Sequence, residues 1–192
     1  MIDLLRKGFD EVSADAIADG LRRHAGEATN EEVDRLAKVL EPYLRSVPDA
    51  LEAALRMSKD PHFGRAVAFA TGTILTYIFD EEDLLPEASY GVVGMLDDAY
   101  LVHAFAGALT RMYPSSAAEY AAPDAHTSEL VATVLPEGVA DSLRRTCDTT
   151  IQVAQALFPS GQKVDGVAAE YEPQLRVSDA VGVAATETIQ TA

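Results

Sequence analysis

The chain has 192 residues, 48% of them hydrophobic, and its acidic residues outnumber the basic ones by 31 to 15. This length suits one domain, or one domain with an appendage, and allows a real core to be buried. The net charge of −16 repels nucleic-acid backbones and anionic membranes, so we expect neither as a partner. Such a surface suits a basic or cationic partner, although it also serves simple solubility. The lone Cys147 excludes an intrachain disulfide framework.

Helical periodicity predicts the first two elements of the chain. Leu5 and Phe9 belong to an apolar stripe at helical spacing, which predicts a helix over about residues 2–24. Thr29 and Glu32 then form a capping-box pattern, in which each side chain satisfies a free N–H group at the start of a helix. A second helix is therefore expected directly after Thr29.

Prolines divide the next part of the chain. Pro42 lies inside the second apolar stripe, so that helix is expected to kink or restart there. Pro48 marks another start, and Asp60 followed by Pro61 is typical of an N-cap with proline in the first turn. The helix that follows, over residues 66–79, is apolar nearly all round, which predicts a central buried helix.

The second half of the chain is also helical up to about residue 158. A helix is expected over 96–113, followed by a small and polar loop over 115–127. A shorter helix over 128–135 and a long one over 136–158 complete the series. Cys147 falls on the apolar side of this last helix, where a cysteine usually acts as a small hydrophobic residue.

These elements predict an all-α fold, a compact bundle of about six helices over residues 1–158. The helices at 66–79 and 96–113 should form a central antiparallel hairpin, because the connection between them is short. Residues 159–192 are rich in small residues and lack helical periodicity. We expect them to form a flexible tail, or an arm that docks on this chain or on a neighbouring subunit.

An acidic cluster interrupts the apolar pattern. Seven carboxylates fall between Asp80 and Asp98, and apolar runs lie on both sides of them. An unpartnered buried carboxylate costs several kcal/mol, so these charges need a structural or functional reason. Asp97 and Asp98 fall in the first turn of the helix at 96–113, where their negative charges would interact favourably with the positive end of the helix dipole. We expect both to be buried and hydrogen-bonded to the turn before them.

A metal site is the alternative explanation for this cluster. His103 lies on another face of the helix than Asp97 and Asp98, so that histidine and those aspartates cannot bind one ion together. The ligands would be oxygens of Asp83, Glu87, Asp97 and Asp98, a set that suits Mg²⁺, Mn²⁺ or Ca²⁺. Catalysis by these carboxylates also stays open, although the sequence contains no nucleophile elbow, phosphate loop or dinucleotide fingerprint.

The segment resembles a known bacterial family. The block from Asp83 to Glu87, followed by Gly94 and then Leu96 to Asp98, is similar to the signature of the YkvA family. In that signature Asp-Leu-Ile-Pro-Asp precedes a short turn with glycine and then Leu-Asp-Asp. Here Glu81 stands where the family has proline. The resemblance covers about residues 66–110 and implies a helical hairpin with an acidic turn. It brings no established activity.

The sequence favours a non-enzymatic interaction or scaffold protein with a protein partner or with self-association. The alternative is a divalent-metal-dependent protein that uses the acidic cluster of residues 80–98. No signal-peptide pattern is visible at the N-terminus. The longest uncharged apolar run, 66–79, is shorter than the roughly 20 residues that span a bilayer. We therefore expect a soluble, cytoplasmic protein without a membrane span.

Overall fold

The computed structural model describes residues 2–24, 28–80, 84–113 and 125–159, apart from the side chains of Ala88 and Ala125. These residues form α-helices and one 3-10 helix, and no strand occurs among them. The all-α fold class is therefore confirmed. The helices are α1 Ile2–Asp10, α2 Ala14–Arg22, α3 Asn30–Arg45, α4 Val47–Met57, α5 Gly64–Ile78, α6 Glu87–Tyr90, the 3-10 helix Gly91–Gly94, α7 Met95–Met112, α8 Ala125–Val134 and α9 Val139–Leu157.

The central hairpin is antiparallel, as the sequence predicts. Tyr77 near the end of α5 donates a hydrogen bond of 3.0 Å to Oδ2 of Asp97 near the start of α7. At the other end, the ring of Phe63 just before α5 stacks on Tyr113 just after α7, with centroids 3.9 Å apart. Because opposite ends of the two helices meet at both places, α5 and α7 run in opposite directions.

Helix α7 forms the centre of the bundle. It contacts α3, α4, α5, α8 and α9, and buried positions occur on all of its faces. Phe105, Leu101 and Leu109 are among the largest fully buried side chains of the described chain. The polar residues Asp97, Asp98 and His103 are buried in the same helix. This position explains why α7 is apolar nearly all round.

The stretch Gly91–Met112 is the one helical stretch among the described residues that is long and apolar enough to cross a membrane, with a mean hydropathy of 1.3. Within the bundle 78% of it is buried. Its place at the centre of the core accounts for that composition, so length and hydropathy argue only weakly for a span. The expected absence of a membrane span stays a prediction.

The prediction that the helix at 66–79 is buried on all sides was wrong for one stripe. Ala68, Gly72 and Thr76 are exposed, at the four-residue spacing of a single helix face. Small side chains lose little by facing water, because they carry little apolar area. Phe79, directly after α5, is also 48% exposed. The apolar composition of α5 therefore overstates its burial, and α7 is the helix enclosed on every side.

The single helix predicted over 2–24 is divided into α1 and α2. Ser13 adopts an extended backbone conformation, and its hydroxyl accepts a hydrogen bond from the N–H of Ala16. It is therefore the N-cap of a new helix, although it lies inside the apolar periodicity. Val12 beside it is buried, which fixes the short connection against the core.

The proline signals differ in how well they predict helix starts. Helix α3 continues through Pro42 to Arg45, so no restart occurs there. The start expected around Pro48 is confirmed, because Ser46 is the N-cap of α4 and Pro48 lies in its first turn. After Asp60 and Pro61 the chain makes a turn, closed by Oδ1 of Asp60, which accepts from the N–H of His62. Helix α5 begins only at Gly64, where a Cβ would lie 2.3 Å from the carbonyl oxygen of Ser58. The close chain approach at that glycine sets where α5 begins.

The remaining boundaries lie close to those expected. Helix α8 begins at Ala125, somewhat earlier than the predicted 128–135. Helix α9 begins at Val139 rather than at residue 136, because Gly138 before it adopts a left-handed conformation with φ of 79°. Cys147 is buried in α9, as expected. Most of the loop predicted over 115–127, and the tail over 159–192 apart from Pro159, lie outside the described residues.

Candidate functional site

The aspartate pair at the start of α7 is buried, as predicted. Asp97 is 0% exposed and Asp98 is 2% exposed. Both lie in the first turn of the helix, where a carboxylate stabilises the positive end of the dipole. Asp97 accepts a hydrogen bond from Tyr77 of α5, while the hydrogen bonds expected from the preceding turn stay a prediction. Asp97 therefore joins the two helices of the hairpin.

The turn before α7 depends on a close backbone contact at Gly94. A Cβ at this position would lie 2.6 Å from the carbonyl oxygen of Leu85 and 2.9 Å from the Cα of Glu87. The absence of a side chain at Gly94 thus lets residues 85–87 fold back on the start of α7. Leu85 is buried in this turn, whereas Glu87 is exposed. This contact is the structural role of Gly94 in the turn.

The four proposed metal ligands occupy different environments. Asp97 and Asp98 are buried and Glu87 is exposed, while Asp83 lies outside the described residues. Within the parts of the chain that the structure describes, no group of three or more histidine, cysteine, aspartate or glutamate side chains lies close enough to hold a metal ion. The metal site, which also needs Asp83, stays a prediction.

His103 is part of the packed core. Its Nε2 lies 3.0 Å from the carbonyl oxygen of Tyr43 and 3.2 Å from Oγ of Ser46. A carbonyl oxygen can only accept, so Nε2 carries the proton in this contact. Burial lowers the pKa of His103 from 6.5 to about 4, against the opposing effect of the bond to Tyr43. The imidazole is therefore neutral near pH 7 and links α7 to the end of α3.

Cys147 is held in the form that does not react. Burial raises the pKa of its thiol to about 12, and the neighbouring Asp148 adds to this shift. The thiolate, which is the nucleophilic form, is then a negligible fraction at neutral pH. Cys147 acts as a small hydrophobic residue of α9.

A pocket of about 540 Å³ opens between α2, α3, the end of α8 and residues 85–96. Its walls are mainly apolar and also include residues 133–136. The side chains that define it include Leu21, Val33, Leu36, Leu85, Val93 and Leu96. A concave and largely apolar surface of this size is typical of small-molecule sites. The pocket is therefore the candidate binding site.

The polar groups of the pocket come from four separate parts of the chain. His24 follows α2 and its ring lies against Tyr90 of α6, with centroids 5.1 Å apart. Glu32 lies in the first turn of α3 and Thr133 belongs to α8. The Thr133 hydroxyl already donates to the carbonyl oxygen of Leu130 at 2.7 Å. A few polar groups among apolar walls can orient a ligand that the walls bind through its apolar part.

Glu32 is the carboxylate of the pocket, and its position is fixed by the predicted capping box. Its Oε2 accepts from the Thr29 N–H at 2.9 Å and from the Thr29 hydroxyl at 2.8 Å. In return, Oγ1 of Thr29 accepts from the Glu32 N–H at 3.3 Å. The bonds from Thr29, first that of its backbone N–H, lower the pKa of Glu32. The capping box is confirmed, and it holds a negative charge at the rim of the pocket.

Sequence reasoning identified Glu32 as a cap but missed the pocket. The walls come from segments that are far apart along the chain, and only their packing brings them together. The available signals were local ones, such as Leu36 in the apolar stripe of α3 and Leu85 next to a proline. Neither signal shows that the elements leave space between them.

Comparison with models of known protein families finds no match, and comparisons with curated proteins and with solved structures find none either. The resemblance to the YkvA family therefore stays a prediction that rests on its own residues.

Proposed function

We propose that this protein is a non-enzymatic interaction protein that binds a ligand in the apolar pocket beside α3. The observation that carries the proposal is the pocket itself, with a volume of about 540 Å³ and mainly apolar walls. Binding to such walls gains free energy because apolar surface of the ligand leaves water.

The state of the reactive side chains supports a binding role over a catalytic one. Asp97 is hydrogen-bonded to Tyr77, and His103 is hydrogen-bonded to the backbone of Tyr43. The raised pKa of Cys147 keeps its thiol protonated. Each of these side chains either joins two helices or fills space in the core. Such structural roles explain why the residues are there without any catalytic activity.

The other parts of the proposal rest on composition and on the resemblance. The net charge of −16 favours a protein partner or self-association over nucleic acid. The hairpin of α5 and α7, with Gly94 packed on residues 85–87, fits the arrangement that the YkvA resemblance implies.

Binding of a neutral apolar dye such as Nile red tests the pocket. We expect saturable fluorescence enhancement with one site per chain. Leu36→Arg removes apolar surface from the wall and adds a charge, four residues after Glu32, that an apolar ligand would have to strip of water. It should weaken binding by about tenfold or more. Val39→Arg is the matched control, because Val39 is 40% exposed on the same helix and does not line the pocket.

A second variant separates loss of binding from loss of folding. Ala28 lines the pocket and is exposed, so Ala28→Trp should fill the space without disturbing the core. Circular dichroism confirms that each variant keeps its helical content. If the dye does not saturate, or if all three variants bind it equally, the proposed function is wrong.

A further inference from the structure

We infer that the ligand of this pocket is an organic cation, an apolar molecule that carries one ammonium group. This inference rests on the proposed function and adds the chemical class of the ligand. The apolar part would lie against Val33, Leu36 and Leu96, and the ammonium group would lie near Glu32 and the ring of Tyr90.

Among the described residues of the pocket lining, the formal charge comes from Glu32. These residues include Glu32 and His24, and the others are apolar or neutral polar side chains. Both hydrogen bonds from Thr29 reach the same oxygen, Oε2. The second carboxylate oxygen can then accept from a ligand while the cap stays intact.

The aromatic rings of the pocket add to this preference. Tyr90 and His24 both line the cavity, and their ring centroids lie 5.1 Å apart. An ammonium group is attracted to the face of a tyrosine ring, and this attraction grows as the group loses water. A carboxylate combined with a tyrosine ring therefore favours a cation over an anion or a neutral end group.

The net charge of the chain points the same way. The chain as a whole carries a net charge of −16, which raises the local concentration of cations and repels anions.

Two arginines lie near the pocket and act against this preference. The Arg23 guanidinium packs close to Gly91, and its Nε donates to the carbonyl oxygen of Asp19 at 3.4 Å. Arg35 is the positive charge that acts on Glu32, and this is the weakest of the causes that shift the Glu32 pKa. Neither arginine is among the described residues of the lining, whereas Glu32 is.

Three probes with ten carbon atoms each test the inference on the full-length protein. Decylammonium, 1-decanol and decanoate carry a positive, a neutral and a negative end group, and each is titrated by calorimetry and by displacement of Nile red. We expect decylammonium to bind about threefold to tenfold more tightly than 1-decanol, and decanoate to bind more weakly than either. The preference for decylammonium should decrease as salt is added.

Glu32→Gln identifies the residue responsible. Glutamine keeps the acceptor oxygen of the capping box but has no charge, so the variant should lose most of the preference for decylammonium over 1-decanol. Glu31→Gln is the matched control, since Glu31 lies in the same first turn outside the lining. This control should keep the preference of the unmodified chain.

The outcomes separate this inference from the proposed function. If all three probes bind equally, or if decanoate binds best, the pocket binds apolar molecules but the cation inference is wrong. The same conclusion follows if Glu32→Gln and Glu31→Gln reduce the preference equally. If none of the probes binds or displaces the dye, the proposed function fails as well.

Discussion

The core around α7 and the pocket beside α3 both contain polar side chains, but these side chains have different roles. In the core, Asp97 and His103 are buried and bonded to residues of other helices. In the pocket, Glu32 is exposed and bonded within its own turn. A polar group whose hydrogen bonds join two helices is needed for the fold. A polar group fixed at the edge of an apolar cavity can still form a hydrogen bond or an ion pair with a ligand. Burial with a partner therefore argues for structure, and accessibility beside an apolar wall argues for binding.

Lowering the pH should reduce the free energy of unfolding through His103, and this is the largest effect that we expect. The unfolded chain binds a proton at His103 near pH 6.5, whereas the folded chain does so only near pH 4. The stability that this group contributes is therefore complete above pH 6.5 and is lost as the pH falls to about 4. The full loss amounts to about 3 kcal/mol.

Urea unfolding at a series of pH values between 7 and 4 measures this loss. Carboxylates titrate in the same range, so the comparison is between the unmodified chain and His103→Gln, which should have a shallower decrease. His62→Gln is the control because His62 is exposed, and it should decrease like the unmodified chain. Equal slopes in all three proteins would mean that His103 is not held neutral in the core.

Removal of the Asp97 carboxylate should have the next largest effect. Asp97→Ala leaves the Tyr77 hydroxyl without the acceptor that it has at 3.0 Å, and it removes a charge from the first turn of α7. We expect a loss of about 1–3 kcal/mol in the free energy of unfolding. Tyr77→Phe removes a donor from a buried carboxylate and should cost about as much, roughly 1–3 kcal/mol. An unchanged melting temperature in both variants would contradict the structural role.

A metal titration could overturn the comparison between the two regions. Mg²⁺, Mn²⁺ and Ca²⁺ are added in a calorimeter to the unmodified chain and to Asp97→Asn, which keeps the shape of the side chain. We expect no binding tighter than about 100 μM, a limit within the range of natural calcium sites. Tighter binding that disappears in Asp97→Asn would make the acid pair a metal site, and a buried polar group would then be functional.

The sequence predicts the core of this protein better than its pocket. The burial of Asp97 and Asp98 follows from charges placed between apolar runs, and the capping box of Thr29 and Glu32 is a signal contained in four residues. The pocket depends instead on how Leu21, Leu36 and Leu96 are placed in space. Helical periodicity specifies which face of a helix is apolar but not the space left where faces meet.

The helix boundaries show the same limit. Ser13 begins α2 because its hydroxyl caps a free N–H group, yet the apolar stripe passes over it without interruption. Gly64 delays α5 because the chain passes close to Ser58 there, and this contact is not visible in the sequence. Helix boundaries could be predicted where a local sequence motif, such as the capping box, sets them. Boundaries that depend on a long-range contact, or on a cap without a recognisable motif, could not be predicted.

Truncation at the C-terminus should have the smallest effect. Phe158 packs against Phe69 with ring centroids 5.9 Å apart, and the Arg65 guanidinium lies over its ring at 5.2 Å. A chain that ends after Pro159 keeps both contacts, so its free energy of unfolding should change by less than about 0.5 kcal/mol. A chain that ends after Leu157 also loses the Phe158 ring and should be less stable by about 1–2 kcal/mol.

Thermal unfolding of both shortened chains separates the contribution of the ring from that of the tail. The predicted boundary between a helical domain at 1–158 and a tail or docking arm at 159–192 is supported if only the shorter chain melts earlier. Loss of self-association in the longer one, with its melting temperature unchanged, would favour the arm. If the chain that ends after Pro159 unfolds, residues beyond 159 belong to the core and the boundary is misplaced.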